Sequence, residues 1–374
     1  MSSSKRPVIV VEDDPFTRLI QIVLDPDASA ERTAAFADFM AHDEPDFAGW
    51  CERVRRQAHS LDPSDVRMVT TPEEMTAVLP EADALVVEAF RVGARELAAA
   101  PRLKVVQKFG ATLRNIDTGA CAARGIAVRT LRRRANVACA EQAFALMLAL
   151  AKMLPRLAGL ISVEQMVTAG YPYRPYDLRY TPRSNFARVP GMRMLQGTTL
   201  GIVGLGEIGR EIARRAAAFE MRILYHQRTR VDVSEEEALQ AQYVPLHELM
   251  ERSDWIVPQV PGGAATRGMI GPAELARVQA GACIVNVARA DLVDRVALID
   301  ALRSGRLGGF ALDPLYQEPG RSDDELLQFD NVILVPHMAG SPRTNGLADL
   351  EELMVGLASA LAGSAATSLA RSHN

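Results

Sequence analysis

The sequence predicts an α/β protein of two Rossmann-like domains with parallel sheets and an active-site cleft between them. Three observations lead there. Short apolar runs alternate with helical stretches along most of the 374 residues, the pattern of a parallel sheet with crossover helices. That length is large for a single core. The third observation is the stretch Thr198 to Gly209, which reads as a buried strand, a glycine turn and a helix. Within it Gly204-Leu205-Gly206-Glu207-Ile208-Gly209 has the spacing G-x-G-x-x-G. The first Gly permits a tight turn, the second lets backbone N–H groups approach a pyrophosphate, and the third lets helix and strand pack closely. The helix through Arg210 to Ala216 points its positive N-terminal end at that phosphate.

Composition narrows the class. The chain is 48% hydrophobic and 24% charged, with a net charge of −4, which gives no footprint for nucleic acid. Cys51, Cys121, Cys139 and Cys283 are scattered with no C-x-x-C. That suits a reduced, cytoplasmic protein without a metal site. The opening residues 1–7 lack the apolar core of a signal peptide. The greasiest stretch, Ala143 to Ala151 between Glu141 and Lys152, is too short to span a bilayer and reads as a buried helix, so no membrane is expected as a partner.

In chain order, Val8 to Val11 is a first strand. Residues 25–64 read as helix plus loop inserted into the first domain. Thr71 caps a helix that opens with Pro72. Ala84–Val87 is a strand, Arg95–Ala100 a helix, and Leu103–Val106 a strand ending in Lys108-Phe109-Gly110-Ala111-Thr112. Ile126–Val128 follows another helix. The run Leu131-Arg132-Arg133-Arg134 reads as a solvated turn, with one arginine at a cleft that takes an anion as the alternative. A long helix is expected from about Asn136 to Leu157. The stretch 170–190, rich in Tyr, Pro and Arg, is an irregular loop that covers a cleft or embraces a second subunit. Met221–Tyr225, Trp255–Val257, Cys283–Val287, Phe310–Leu312 and Val332–Val335 are further strands. Ligands sit at the C-terminal ends of such strands.

A dinucleotide domain normally carries Asp or Glu about 20 residues beyond the glycines, for the ribose 2′-OH. Here His226-Gln227 stands at that place, followed by Arg228-Thr229-Arg230. The missing acid removes repulsion toward a 2′-phosphate, and two guanidiniums and a hydroxyl supply donors for it. NADP(H) is therefore expected over NAD(H), which remains possible. Three ionisable residues stand beyond strand ends: Arg289 after Asn286-Val287-Ala288, Glu318 after Asp313-Pro314, and His337 after Val335-Pro336.

The segments Gly204–Gly209, Asn286–Arg289, Ala311-Leu312-Asp313 with Glu318-Pro319, and Pro336–Gly340 together resemble the D-isomer-specific 2-hydroxyacid dehydrogenase family. So does Phe109–Asp117, which is similar to that family's substrate loop. The resemblance implies a substrate domain of residues 1–134 plus 338–374, a nucleotide-binding domain of residues 135–337, and a homodimer. It makes Arg289 the grip on the substrate carboxylate, His337 the acid–base, and Glu318 the partner that holds the His337 tautomer and favours the imidazolium. Gly110, Ala111 and Thr112 would receive the same carboxylate. Asp313 would hold the nicotinamide carboxamide, and Val260, Pro261, Thr266, Val287, Ala288 and Gly340 would line the cofactor.

The chemistry is consistent with those roles. Reducing a 2-keto acid needs a hydride at C2 and a proton at oxygen, and His supplies a proton near neutrality. The sequence departs from the family pattern at Arg114, Gln259, Gly262-Gly263, Ala290 and Pro314, several of them where specificity is set. The expected activity is hydride transfer between a nicotinamide cofactor and a small 2-keto or 2-hydroxy acid. The alternatives are a non-catalytic NAD(P)-sensing co-regulator on the same fold, or oxidation of another small anion of the formate or phosphonate type.

Overall fold

The computed structural model describes residues 6–183 and 187–371. Residues 1–5 of the opening segment, 184–186 of the Tyr-rich loop and 372–374 lie outside the described residues. The chain divides into two compact units, Met1–Asn136 with Gly340–Asn374, and Val137–Ala339. Each crossing falls two residues beyond the boundary expected from sequence.

The first unit contains five parallel strands among the described residues: β1 (Val8–Glu12), β2 (Asp65–Val69), β3 (Ala84–Val87), β4 (Val105–Lys108) and β5 (Ala127–Arg129), in the order β2-β1-β3-β4-β5. The inner strands are buried on both faces, as helices on both sides of a parallel sheet require. Ile9, Val11 and Val86 pack on the side of helices Arg18–Leu24, Phe47–Gln57 and Thr344–Arg371. Val10, Leu85 and Val106 pack on the side of helices Pro72–Val78 and Ala94–Ala98. The chain order reverses between β1 and β3, which makes their C-terminal ends a switch point.

β4 runs two residues later than the sequence suggested, and its end is polar. Gln107 and Lys108 are buried there because both are satisfied: Gln107 Nε2 donates to the Lys108 carbonyl, and Lys108 Nζ donates to the Glu88 carbonyl. The 25–64 region contains two helices, Ala30–Met40 and Phe47–Gln57, capped by Ser29 and Asp46. Phe47 and Trp50 stack within the core at 5.7 Å. Thr71 caps its helix by accepting from Glu74 N at 3.1 Å.

The second unit contains seven parallel strands among the described residues: β6 (Thr199–Val203), β7 (Arg222–His226), β8 (Ala241–Tyr243), β9 (Trp255–Pro258), β10 (Ala282–Asn286), β11 (Leu307–Leu312) and β12 (Val332–Leu334). Their order is β12-β11-β10-β9-β6-β7-β8. This is the dinucleotide-binding arrangement, with its switch point between β6 and β9.

The long helix expected from Asn136 to Leu157 is instead Arg134–Ala151, followed by a break and a short helix, Leu154–Leu157. Pro155 is the cause, because it lacks an N–H and its ring collides with the carbonyl four residues back. That carbonyl, on Ala151, accepts from Arg193 N at 2.9 Å instead. Met153 takes the turn at φ 53°.

The arginine run is solvated only in part: Arg132 and Arg134 are exposed, but Arg133 and Arg134 are both held by carboxylates. Arg133 lies 4.1 Å over the Phe109 ring and pairs with Glu88 at 3.1 Å, while Arg134 holds the buried Asp349 at 3.0 Å. No helix among the described residues is long and apolar enough to cross a membrane.

Candidate active site

The glycine turn follows β6, and its three glycines are needed for three different reasons. Gly204 adopts φ 105°, and a Cβ there would stand 2.5 Å from the Gln259 carbonyl oxygen. A Cβ on Gly209 would stand 2.3 Å from the Gly204 carbonyl oxygen. At Gly206 an added Cβ meets nothing within 4 Å. Gly204 and Gly209 thus serve the fold, whereas Gly206 leaves open space before the helix Glu207–Ala218. The first N–H groups of that helix suit a diphosphate, so the residues present fit a dinucleotide.

Leu205 N donates to Gln227 Oε1 at 3.0 Å, and Gly204 N donates to the His226 carbonyl at 2.8 Å. Gln227 therefore braces the turn from the place where an acid was missing. Arg228 and Thr229 are exposed, and neither side chain has a hydrogen bond or ion pair among the described residues. Arg230 differs. It makes a two-point pair with Glu236, at 2.7 Å through Nε and 2.7 Å through Nη2. Glu236 also accepts from the buried Tyr225 hydroxyl at 2.5 Å. Arg230 is exposed but tied to Glu236, so of the two guanidiniums expected for a 2′-phosphate, Arg228 is the one without a partner among the described residues.

Beyond β9, Val260, Pro261 and Thr266 form the neighbouring loop, closed by Thr266 Oγ1 donating to the Pro261 carbonyl at 2.7 Å. Gln259 Nε2, beside Gly204, is buried without a partner among the described residues. Sequence reading recorded that residue only as a departure from the family pattern, and an unpaired amide cannot be foreseen from a string.

Beyond β10, Asn286 is fully buried and staples the next three residues. Its Nδ2 donates to the Arg289 carbonyl at 2.7 Å, and its Oδ1 accepts from Ala288 N at 3.0 Å. Val287 is buried and Ala288 half-buried, while the Arg289 side chain stands exposed. A Cβ on Gly262 would lie 2.8 Å from Arg289 Cγ. The Gly262-Gly263 departure from the family pattern thus makes room for the Arg289 stem.

Beyond β11 and β12 stand Glu318 and His337. Nδ1 of His337 lies 2.8 Å from Glu318 Oε1 and 3.0 Å from Oε2. Leu315 N donates to Glu318 Oε1 at 2.9 Å. The hydrogen bond to His337 holds the Glu318 carboxyl below the usual glutamate value of 4.5; the Leu315 N–H and the charges of His337 and Arg289 add to this against a smaller effect of burial. The three side chains proposed for chemistry therefore stand past adjacent strands of one sheet.

Asp313, expected at the nicotinamide carboxamide, is also a structural anchor. It is fully buried, and its carboxylate accepts from Met338 N at 2.8 Å and Ala339 N at 3.1 Å. His337 N donates to the Asp313 carbonyl at 3.0 Å. These bonds hold His337 at φ 53°, a left-handed conformation that a non-glycine residue keeps only when its surroundings impose it. Asp313 thereby fixes the segment that carries His337. Gly340 is exposed just past that segment.

In the first unit, Gly110, Ala111 and Thr112 follow β4. Phe109 N donates to the Val87 carbonyl at 2.8 Å, and Leu131 N to the Gly110 carbonyl at 2.8 Å. The start of the loop is therefore tied to β3 and to the segment after β5.

Residues 174–339 match the NAD-binding domain of the D-isomer specific 2-hydroxyacid dehydrogenases. A glyoxylate reductase from Pyrococcus furiosus is 36% identical over 271 residues, covering 72% of this chain and 76% of that one. Another, from Korarchaeum cryptofilum, is 36% identical over 252 residues, 67% of this chain and 70% of that one. A D-3-phosphoglycerate dehydrogenase from Archaeoglobus fulgidus is 33% identical over 75% of this chain, which is 49% of its own length. Among solved structures, a Pyrococcus horikoshii protein superposes with a TM-score of 0.55 at 25% identity, covering 94% of this chain and 90% of that one. The holo form of D-mandelate dehydrogenase from Rhodotorula graminis shares the fold, with a TM-score of 0.53 at 24% identity, covering 94% of this chain and 93% of that one. With the glycine turn, the nicotinamide-type domain and this degree of identity, the chain belongs to the D-isomer-specific 2-hydroxyacid dehydrogenase family, oxidoreductases that transfer hydride between a nicotinamide dinucleotide and 2-keto or 2-hydroxy acids.

Proposed function

We propose that the protein is a reductase of small 2-keto acids, of the glyoxylate or hydroxypyruvate kind, giving D-2-hydroxy acids and preferring NADPH to NADH. The observation that carries this is the Glu318–His337 pair, with Arg289 close enough to act on the Glu318 charge. The nicotinamide cofactor, when bound, supplies the hydride. Arg289 grips the substrate carboxylate in two-point fashion and polarises the C2 oxygen. Gly110, Ala111 and Thr112 form the first unit's proposed substrate-binding loop. His337, held through Nδ1, keeps Nε2 for proton delivery to the new hydroxyl, and Glu318 favours the charged ring that gives this proton. The glycine turn, the Val260-Pro261-Thr266 loop, Val287, Ala288 and Gly340 line the cofactor. Arg228 and Thr229 take the 2′-phosphate.

The names of the glyoxylate reductase relatives agree with the substrate size. The chain also works as a homodimer in this proposal. Of the fifteen large exposed apolar side chains among the described residues, nine lie between Leu154 and Met194, among them Ile161 at 82% exposure and Tyr180 at 81%. Such a concentration in one segment calls for a covering surface. Four cysteines without disulfides suit a cytoplasmic location.

The decisive test is a panel of 2-keto acids assayed with NADPH and NADH by nicotinamide absorbance, with molar mass measured by light scattering. Turnover of glyoxylate or hydroxypyruvate, faster with NADPH, and a dimer mass are expected. No oxidation of either cofactor with any 2-keto acid overturns the catalytic assignment, and a monomer overturns the dimer.

A further inference from the structure

The C-terminal edge of the first unit's sheet holds a set of charges that the proposed reaction does not use. Glu12 ends β1, and Glu88 follows β3, so they flank the switch point where such sheets take ligands. The Glu12 carboxylate accepts the N–H groups of Glu88 at 2.7 Å, Ala89 at 2.9 Å and Phe90 at 2.9 Å. Asn115 Nδ2 donates to the Phe90 carbonyl at 2.7 Å. The backbone that carries Glu88 is thereby rigid.

The Glu88 side chain is half-buried and meets Arg133 Nη1 at 3.1 Å. Arg133 lies flat on the Phe109 ring, 4.1 Å from its centroid, and its Nε is buried without a partner among the described residues. Phe109 leads directly into the Gly110–Thr112 loop. Glu88 is therefore clamped beside the proposed substrate-binding loop, with one guanidinium plane between them.

We infer that Glu88 is a specificity residue of the first unit's substrate loop: it accepts a hydrogen bond from a neutral hydroxyl on the substrate's side chain, so the enzyme favours hydroxylated 2-keto acids over their apolar counterparts. This rests on the 2-keto acid reading above. An apolar substituent here would strip water from the part of the carboxylate that Arg133 does not satisfy and offer nothing in return, which costs free energy. A second anionic group would face Glu88 and Asp14, both of which act on this position. A cationic group would meet Arg133 and Lys108, whose charges already lie against Glu88. A neutral donor fits all three constraints. Burial, and then the Asp14 charge, raise the Glu88 carboxyl above its usual value, consistent with an acid that gains from such a donor.

The test uses hydroxypyruvate and pyruvate, which differ only in the C3 hydroxyl, with glyoxylate as a control for the basic reaction. The hydroxyl also activates the carbonyl, so the deciding number is the change in the kcat/KM ratio between wild type and variant. Glu88→Ala is expected to lower the hydroxypyruvate-to-pyruvate ratio by about tenfold or more. Glu88→Gln keeps an acceptor oxygen but loses its charge, so a smaller loss, roughly threefold, is expected there. A loss of activity equal for both acids would mark a structural role and overturn the inference. So would an unchanged ratio in both variants. Failure of wild type on glyoxylate as well would instead overturn the 2-keto acid reading, and this inference with it.

Discussion

His337 and Glu318, on segments past two neighbouring strands, meet through Nδ1 at 2.8 Å, and that contact fixes which ring nitrogen is left for chemistry. His337→Gln is expected to lower kcat by about a hundredfold or more while cofactor still binds. Fluorescence titration with NADPH beside steady-state rates checks both halves. Rates near wild type would remove His337 from proton transfer.

Glu318→Gln tests the pH side of the same pair. Its folded carboxyl lies below the ordinary value, so its charge is present above pH 4.5 and is lost only as pH falls through the lower folded value. No limb of the wild-type rate profile above pH 4.5 is therefore assigned to Glu318. The Gln variant should have a lower kcat across that whole range without creating a new inflection from residue 318. A wild-type inflection above pH 4.5 that disappears in the variant would contradict this.

The glycines should separate cleanly. Gly209→Ala places a methyl 2.3 Å from backbone, so a loss of about 1–3 kcal/mol and a lower Tm are expected. Gly206→Ala meets nothing, so its Tm should match wild type. Its methyl would stand in the approach to the diphosphate, and cofactor Kd should rise roughly tenfold or more. Equal cofactor affinity in Gly206→Ala and wild type would sink that division of labour.

Much of this was legible beforehand because inner parallel strands are continuous apolar runs. β1, β3, β6, β9 and β10 stand out for that reason. β2 and β8 did not, because both are edge strands. β2 carries Asp65 and Arg67, and Arg67 pairs with both Asp65 and Glu81, so no apolar run marks it. The three residues proposed for chemistry stand out in the sequence as spacing after strands. The partners of Asp313 and Arg230 do not, because each depends on where a following turn brings the chain back.

Arg228→Ala should weaken NADPH by roughly tenfold to a hundredfold and leave NADH nearly unchanged, as loss of a charge-assisted contact to phosphate implies. Arg230→Ala should lower thermal stability more than it changes the NADPH-to-NADH preference. Titration of both variants with both cofactors decides. The reverse pattern would mean that Arg230 leaves Glu236 when the cofactor binds.

Glu236 links this loop to acid stability. The hydrogen bond from Arg230, helped by Tyr225, holds its carboxyl below the usual 4.5 against burial. Burial, then Glu236, pushes the Tyr225 hydroxyl up to about 12. A depressed acid stabilises the fold above its unfolded value and stops doing so as pH falls through the folded one. Glu236→Gln should therefore lower Tm at neutral pH and flatten the fall of Tm below pH 4.5. Parallel Tm curves for the two proteins would refute it.

The tether between Arg230 and Glu236 also bears on how readily this enzyme changes its source of reducing equivalents. Removing the Glu236 side chain would release a second cation in the loop that holds Arg228. Under the proposed 2′-phosphate reading, descendants of this sequence would then be able to shift between the two cellular hydride pools by adjusting the helix Val233–Leu239.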